Sequence, residues 1–238
     1  MTRKLFRSFD RRGLRYLLIH GQAAILYGAS QFSEDVDLWI RPDSANARRL
    51  LMALADCDAR VHKLTPRLVP STMRAGHGFH FIVPDRPQEL YLDVMAVPPR
   101  VGAFDQAAAR ATAMDSEFGR VPVVAVEDLI LLKQTRRPGD YEVISNLVKL
   151  RVGGRPSREV LRWAARETFD PVEQARNLEA LGRRASESAC RARIMKRMAL
   201  LQERDTRYWR RRVGELRRLR KTGGLLPERQ AVRGEAVR

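Results

Sequence analysis

The chain is short of acid. Its 28 Asp and Glu face 45 Lys and Arg, for a formal net charge of +17 over 238 residues. Cysteine is scarcer still, with Cys57 and Cys190 far apart and unpatterned. A disulfide scaffold is excluded, and both read as reduced, structural thiols of a cytoplasmic protein. No stretch approaches ~18 consecutive apolar residues, so no membrane-spanning helix is expected. The N-terminal MTRKLFRSFDRRGLRYLL is basic but lacks an apolar core segment and a small-residue cleavage site, so no secretory leader is expected. Neither the glycine-rich phosphate loop nor the dinucleotide fingerprint occurs. No serine sits in a nucleophile elbow. His62, His77 and His80 form no zinc pattern with either cysteine, and the run His77-Gly78-Phe79-His80 reads as a structural strand.

What is present suffices for one good core, or one core plus a smaller appended domain, at 44% hydrophobic content. The positive charge is uneven. Residues 151–238 hold 24 Lys and Arg against 11 Asp and Glu, which leaves 21 against 17 for residues 1–150. The excess is C-terminal and almost wholly Arg, a stripe suited to polyanions, nucleic acid first. The same pattern would also arise from arginine decorating solvated helices.

The order of elements follows from periodicity and punctuation. A short helix is expected over 2–13, a buried strand over 15–19, a helix over 22–27 and a strand over 35–40. Pro42 ends that strand, and Asp43 or Ser44 caps a helix running to about 59. Two strands, 78–83 and 90–97, are joined by the turn Pro84-Asp85-Arg86-Pro87. Helices are expected over 104–114, 127–135 and 140–150, with a short strand over 121–125. Gly153-Gly154 and Pro156 mark the best boundary. It divides an α/β (α+β) core, residues 1–152 with a small mixed sheet flanked by helices, from an all-helical basic region, 153–222. Helices there are expected near 157–168, 171–182 and 186–220, and 223–238 reads as a flexible tail.

The chemistry concentrates in Leu17 to Ile40, LLIHGQAAILYGASQFSEDVDLWI. Strand residues two apart share a face, so Asp35 and Asp37 project together while Val36, Leu38 and Ile40 project into a core. Two neighbouring carboxylates repel unless something positive sits between them, and a divalent metal is the usual candidate. Asp93, in the strand LYLDVMAV, lies on the polar side of an apolar segment, where an acid is costly unless paired or bound. Three carboxylates from two strands of one sheet can hold two Mg²⁺ ions, or Mn²⁺ in their place, beside nucleotide phosphates. The turn His20-Gly21-Gln22 opens a helix directly after a strand, a position that favours phosphate, and Gly21 would let it approach the backbone. Lys133, Arg136, Arg137 and Asp140 form a late polar group in VEDLILLKQTRRPGDYEVISNLVKL. Lys133 at a helix end can reach a triphosphate, although a snorkelling surface lysine gives the same pattern. Asp140 opens the next helix, where the macrodipole also favours an acid. Trp163, Tyr208 and Trp209 read as helix-packing aromatics that could also stack on bases.

This order of strand, Gly turn, helix, Asp-x-Asp strand and later Asp strand resembles the DNA polymerase β-type nucleotidyltransferase superfamily over roughly residues 10–150. Within it the chain is similar to the small bacterial minimal nucleotidyltransferases, including the AbiEii-type toxin branch. Gly21 and the Asp35/Asp37 pair match the first motif and Asp93 the third acid. Lys133, Arg137 and Asp140 match the late Lys, Arg and Asp. One position departs from the pattern: His20 stands at the first Gly of the turn, or Gln22 at the second.

The resemblance implies transfer of a nucleoside monophosphate from an NTP, ATP or GTP among them, to a hydroxyl. Asp35 and Asp37 would bind both metals. Asp93 would bind one and help deprotonate the acceptor. His20, Gly21, Gln22, Lys133 and Arg137 would contact the nucleotide, and Asp140 would support Lys133 or the acceptor. RNA, tRNA included, is the favoured acceptor because of the basic C-terminal helices. A small molecule of aminoglycoside type is the alternative, as is a fold of this kind that binds RNA or a partner protein without turnover. A toxin or phage-defence role, with a cognate antitoxin protein as partner, follows from the resemblance alone.

Overall fold

The protein is described by a computed structural model over residues 2–85 and 88–233. Seven strands form one mixed sheet in the order β3-β4-β5-β2-β1-β7-β6. In chain order they are β1 (Tyr16–Ile19), β2 (Asp35–Ile40), β3 (Arg60–Val61), β4 (Gly78–Asp85), β5 (Gln88–Met95), β6 (Thr112–Ser116) and β7 (Gly119–Val123). The pairs β1–β7 and β2–β5 are parallel, and the other four are antiparallel.

Register decides which side of the sheet is dry. On one side Val36, Leu38 and Ile40 of β2 lie level with Leu92 and Val94 of β5 and with Phe79, Phe81 and Val83 of β4. All are buried, each contributing about 1.5–3 kcal/mol of transfer free energy. Helices α1 (Thr2–Arg11) and α3 (Ser44–Ala55) pack together and bury Leu5, Phe6, Phe9, Leu50 and Leu54. The Phe6 and Phe9 rings meet Tyr16 of β1 at 5.9 and 5.4 Å between centroids. Asp43 caps α3 by accepting from the Asn46 N–H. Asn46 in turn ties α3 to β1 through the Arg15 backbone.

Six further helices run as a chain beside the sheet: α2 (His20–Leu26), α6 (Val126–Leu132), α7 (Pro138–Val152), α8 (Arg158–Glu167), α9 (Pro171–Ala180) and α10 (Glu187–Lys221), each touching the next. Ser157, Asp170 and Ser186 cap the last three through their side chains. At 35 residues α10 is about 52 Å long at 1.5 Å per residue. Among the described residues, no helix is long and apolar enough to cross a membrane.

Three details differ from the sequence reading. The helix expected over 104–114 is α5 (Phe104–Arg110) followed by β6, because Thr112–Ser116 pairs with Gly119–Val123 as a hairpin. Glu117 and Phe118 make the turn, and Gly119, at φ +114°, opens β7 beside it. Short elements β3 and α4 (Pro70–Arg74), absent from the sequence reading, lie on either side of residues 62–69. The expected loose tail, residues 223–238, is corrected over 225–232. Leu225 bridges to Pro66 and Ala231 to Arg60, and Leu226 and Val232 are buried. Residues 225–232 thereby cover the β3 edge, whose unpaired backbone groups want partners. Of the expected turn over 84–87, Arg86 and Pro87 lie outside the described residues, as do 234–238 of the tail.

Candidate active site

The acid pair stands on the opposite side of the sheet from the core. Asp37 pairs in register with Asp93 of β5 and with Ile19 of β1, and Asp35 pairs with Tyr91. Level residues on adjacent strands share a face, so Asp35, Asp37 and Asp93 project together. Burial, then the neighbouring Asp93 and Asp35 charges, push the Asp37 carboxyl up to about 8. Burial and Asp93 also raise Asp35. Asp93 behaves otherwise. Burial pushes it up, but the hydrogen bond and charge of His80, with Lys63, outweigh burial and leave it below the usual carboxylate range.

That partner was missed in the sequence. His80 Nδ1 lies 2.7 Å from Asp93 Oδ1, because β4 sets His80 directly across from Asp93. The signal was available in principle: a polar residue alternating with Phe79 and Phe81 must face the polar side, next to whatever acid the neighbouring strand offers. Lys63 was missed as well, and its charge reaches Asp35 and Asp93.

The turn after β1 opens α2 directly. His20, not Gly21, takes the left-handed backbone, at φ +54°. This is the conformation for which glycine is favoured, so a histidine there is strained. Its ring is held neutral, down to about 4, by burial and then by Lys133. Gly21 is required by packing. A Cβ there would stand 2.1 Å from Ser33 Oγ and 2.7 Å from Ser33 Cβ. Ser33 therefore fills the place a side chain at position 21 would need. Gln22 Nε2 donates to the Ser33 carbonyl (3.2 Å) and Ser33 Oγ to the Asp35 carbonyl (3.1 Å). Gly21 and Gln22 thus fix the lead-in to β2.

The late group closes the other flank. Lys133, the C-cap residue of α6, is buried, and its Nζ donates to Asp140 Oδ1 at 2.8 Å. Thr135 Oγ1 donates to the other Asp140 oxygen. Asp140 therefore holds Lys133 and the loop between α6 and α7. Arg137, exposed at the N-cap of α7, and Lys133 both act electrostatically on Asp37 and His20. The site residues expected from the sequence thus lie around one patch, with Gly21 and Gln22 facing Ser33.

The three acids suit a divalent cation in donor type, being all oxygen and on paired strands, with Asp37 pushed toward its neutral form by burial and by the neighbouring acids. They do not form a closed cage: among the described residues, no three His, Cys, Asp or Glu side chains are gathered closely enough to hold an ion by themselves.

No protein-family model matches the chain, and no curated protein matches it. Among solved structures it is similar to an antigenic nucleotidyltransferase-like protein from Paracoccidioides brasiliensis, at 20% identity over 79% of this chain and 94% of that one, TM-score 0.48. It is also similar to ANT(2")-Ia, solved in complex with adenylyl-2"-tobramycin, at 14% identity over 82% and 94%, TM-score 0.37.

Proposed function

We propose that the protein is a nucleotidyltransferase, moving a nucleoside monophosphate from an NTP to a hydroxyl acceptor with release of pyrophosphate. One observation carries the reading: Asp35, Asp37 and Asp93 share a face of two paired strands, beside the cationic flank of Lys133 and Arg137. Acid on one side and cation on the other suit a metal-bound triphosphate. Asp35 and Asp37 would hold divalent cations, Mg²⁺ or Mn²⁺, together with Asp93. When bound, such ions supply charge neutralisation for the triphosphate and polarisation of the attacking oxygen.

The chain's own groups divide the remaining work. Asp140 keeps Lys133 extended toward the site, where its ammonium meets phosphate oxygens. Arg137 adds a second cation from the loop. His20, kept neutral by burial, offers an N–H without adding charge. Asp93, held ionised with Oδ1 on His80, takes the acceptor proton as the hydroxyl oxygen bonds to the α-phosphorus and the bond to the β-phosphate oxygen breaks.

We take RNA as the acceptor class because α10 carries exposed arginines along its length, among them Arg204, Arg210, Arg217 and Arg220. A second reading, binding without turnover, is favoured by two features: His80 already occupies an oxygen of Asp93, and the three acids form no closed cage. The test is incubation with each α-labelled NTP, Mg²⁺ and total RNA, beside an Asp37→Ala variant. Label in RNA that the variant loses supports transfer. Label in a small molecule would redirect the acceptor assignment, and label in no fraction with any NTP would overturn the enzyme reading.

A further inference from the structure

The loop that presents Lys133 and Arg137 is not held by the core sheet. Asp140 and Tyr141 of α7 hold it from one side, and a buried ion pair between Arg100 and Asp205 of the C-terminal helix holds it from the other. Asp205, midway along α10 and 1% exposed, uses its two oxygens on different partners. Oδ1 accepts from Arg100 Nη1 at 2.8 Å, and Oδ2 accepts from the Arg136 backbone N–H at 3.0 Å. Arg100 is equally committed. Its Nε donates to the Leu131 carbonyl (3.1 Å) and its Nη2 to the Leu132 carbonyl (3.2 Å). Those are last-turn carbonyls of α6, at the end of the helix that favours a cation; the Leu131 carbonyl also accepts from the Gln134 N–H at 3.3 Å. One guanidinium and one carboxylate therefore grip both ends of the 133–136 segment: Arg100 where α6 stops, Asp205 just before α7 starts.

Two further observations make this more than a brace for packing. Arg100 has φ +73°, a backbone that side chains rarely adopt. It follows Pro98-Pro99, which direct the chain out of β5. Strain of this kind persists only where the surroundings over-determine it. A buried ion pair is also an uncertain source of stability, since desolvation offsets attraction unless every group is bonded. Here Nε, Nη1 and Nη2 of Arg100 and both oxygens of Asp205 are bonded, and the bonds run in series from α10 to the loop and the end of α6.

We propose that Asp205 and Arg100 are positioning residues for the nucleotide site: α10 sets where Lys133 and Arg137 stand. This rests on the reading of that site as a nucleotide site. The helix meets the core at a second place too, where Tyr208 Oη donates to the Gly76 carbonyl at 2.8 Å. Tyr208 does not touch the loop, so it supplies a control that loosens α10 alone.

The test compares full-length wild type with Asp205→Asn, Arg100→Lys and Tyr208→Phe. Asparagine keeps the shape of Asp205 but turns an amide donor toward one of two donors. Lysine keeps the charge of Arg100 but cannot span both carbonyls and Asp205. Hydrogen exchange of amides 133–137 is read without nucleotide. Affinity for ATP and GTP with Mg²⁺ is read by equilibrium binding. Exchange at 133–137 should rise about tenfold or more in Asp205→Asn and Arg100→Lys and stay near wild type in Tyr208→Phe. Nucleotide affinity should fall about tenfold in the first two alone, as expected for a lost charge-assisted hydrogen bond. Unchanged loop exchange in both clamp variants overturns the proposal. So does an equal rise in Tyr208→Phe, which would mark a general loosening of α10. Faster exchange with unaltered nucleotide affinity overturns the link to the site. A wild type that binds neither nucleotide overturns the nucleotide reading instead, and the exchange arm still decides whether the clamp holds the loop.

Discussion

Among single residues, Asp37 carries the most consequence. Its carboxyl rises from an ordinary 3.8 to about 8 in the folded protein, through burial and then Asp93 and Asp35. A raised carboxyl stabilises the fold fully below 3.8, and that contribution is lost as pH climbs through 8. His20 works in the opposite sense. Lowered from 6.5 to about 4 by burial and Lys133, it contributes above 6.5 and loses that contribution as pH falls toward 4. His62 and His77 are lowered too, chiefly by burial. From 6.5 to 8 the acid pair is therefore left to set the slope. Without divalent cation, stability should fall as pH rises across that window, and Asp37→Asn should flatten the fall, as read from urea midpoints. A wild-type curve rising across the window contradicts the placement of Asp37. Gly21 gives a second check. Alanine there drives a Cβ into Ser33 and should cost about 1–3 kcal/mol through overpacking. Adding Ser33→Gly should recover much of the loss in thermal melts, and no recovery would place the strain elsewhere.

Among the elements, the edges of the sheet behave differently from its middle. Leu226 and Val232 are buried by the C-terminal segment laid along β3. Ending the chain after Gly224 removes both and bares an edge strand. The expected loss is about 2–4 kcal/mol, two apolar side chains less the entropy of ordering the segment. An unchanged urea midpoint would mean the segment adds nothing. The middle of the sheet was legible in sequence because alternation is strict there: Asp35 and Asp37 against Val36, Leu38 and Ile40 fix both faces of β2. The hairpin of β6 was not legible, since Thr112–Ser116 has no dry face and continues a run of helix-forming alanines. His80 was passed over because a histidine means little until the strand opposite it is known. Asp205 was hidden for a related reason. Among many arginines on α10, only its helical phase with Leu201, Tyr208 and Arg212 marks it as inward, and only the fold shows Arg100 waiting for it. The left-handed backbone of His20 was not legible either, because glycine is its usual holder.

Across the molecule, an acid patch on the sheet is flanked by a cationic loop, and that loop is tied to a long arginine-rich helix. On the proposed reading the parts make one device: α10 would supply long-range attraction for a polyanion, and through Asp205 would also set where Lys133 and Arg137 stand. Binding of single-stranded RNA should weaken with salt. Replacing Arg210, Arg217 and Arg220 with Gln should reduce the slope of log affinity against log salt by about 2, near 0.7 for each phosphate left without its cation. An unchanged slope would move the nucleic-acid surface off α10. Nucleotidyl transfer at Asp35, Asp37 and Asp93 is decided by the product leaving the NTP. With acceptor and Mg²⁺ present, pyrophosphate should be released in step with labelled acceptor, and both should fall about 10²–10⁴-fold in Asp37→Asn, as for loss of a group acting in the transition state. Orthophosphate in its place, or pyrophosphate undiminished in that variant, would contradict transfer at these acids.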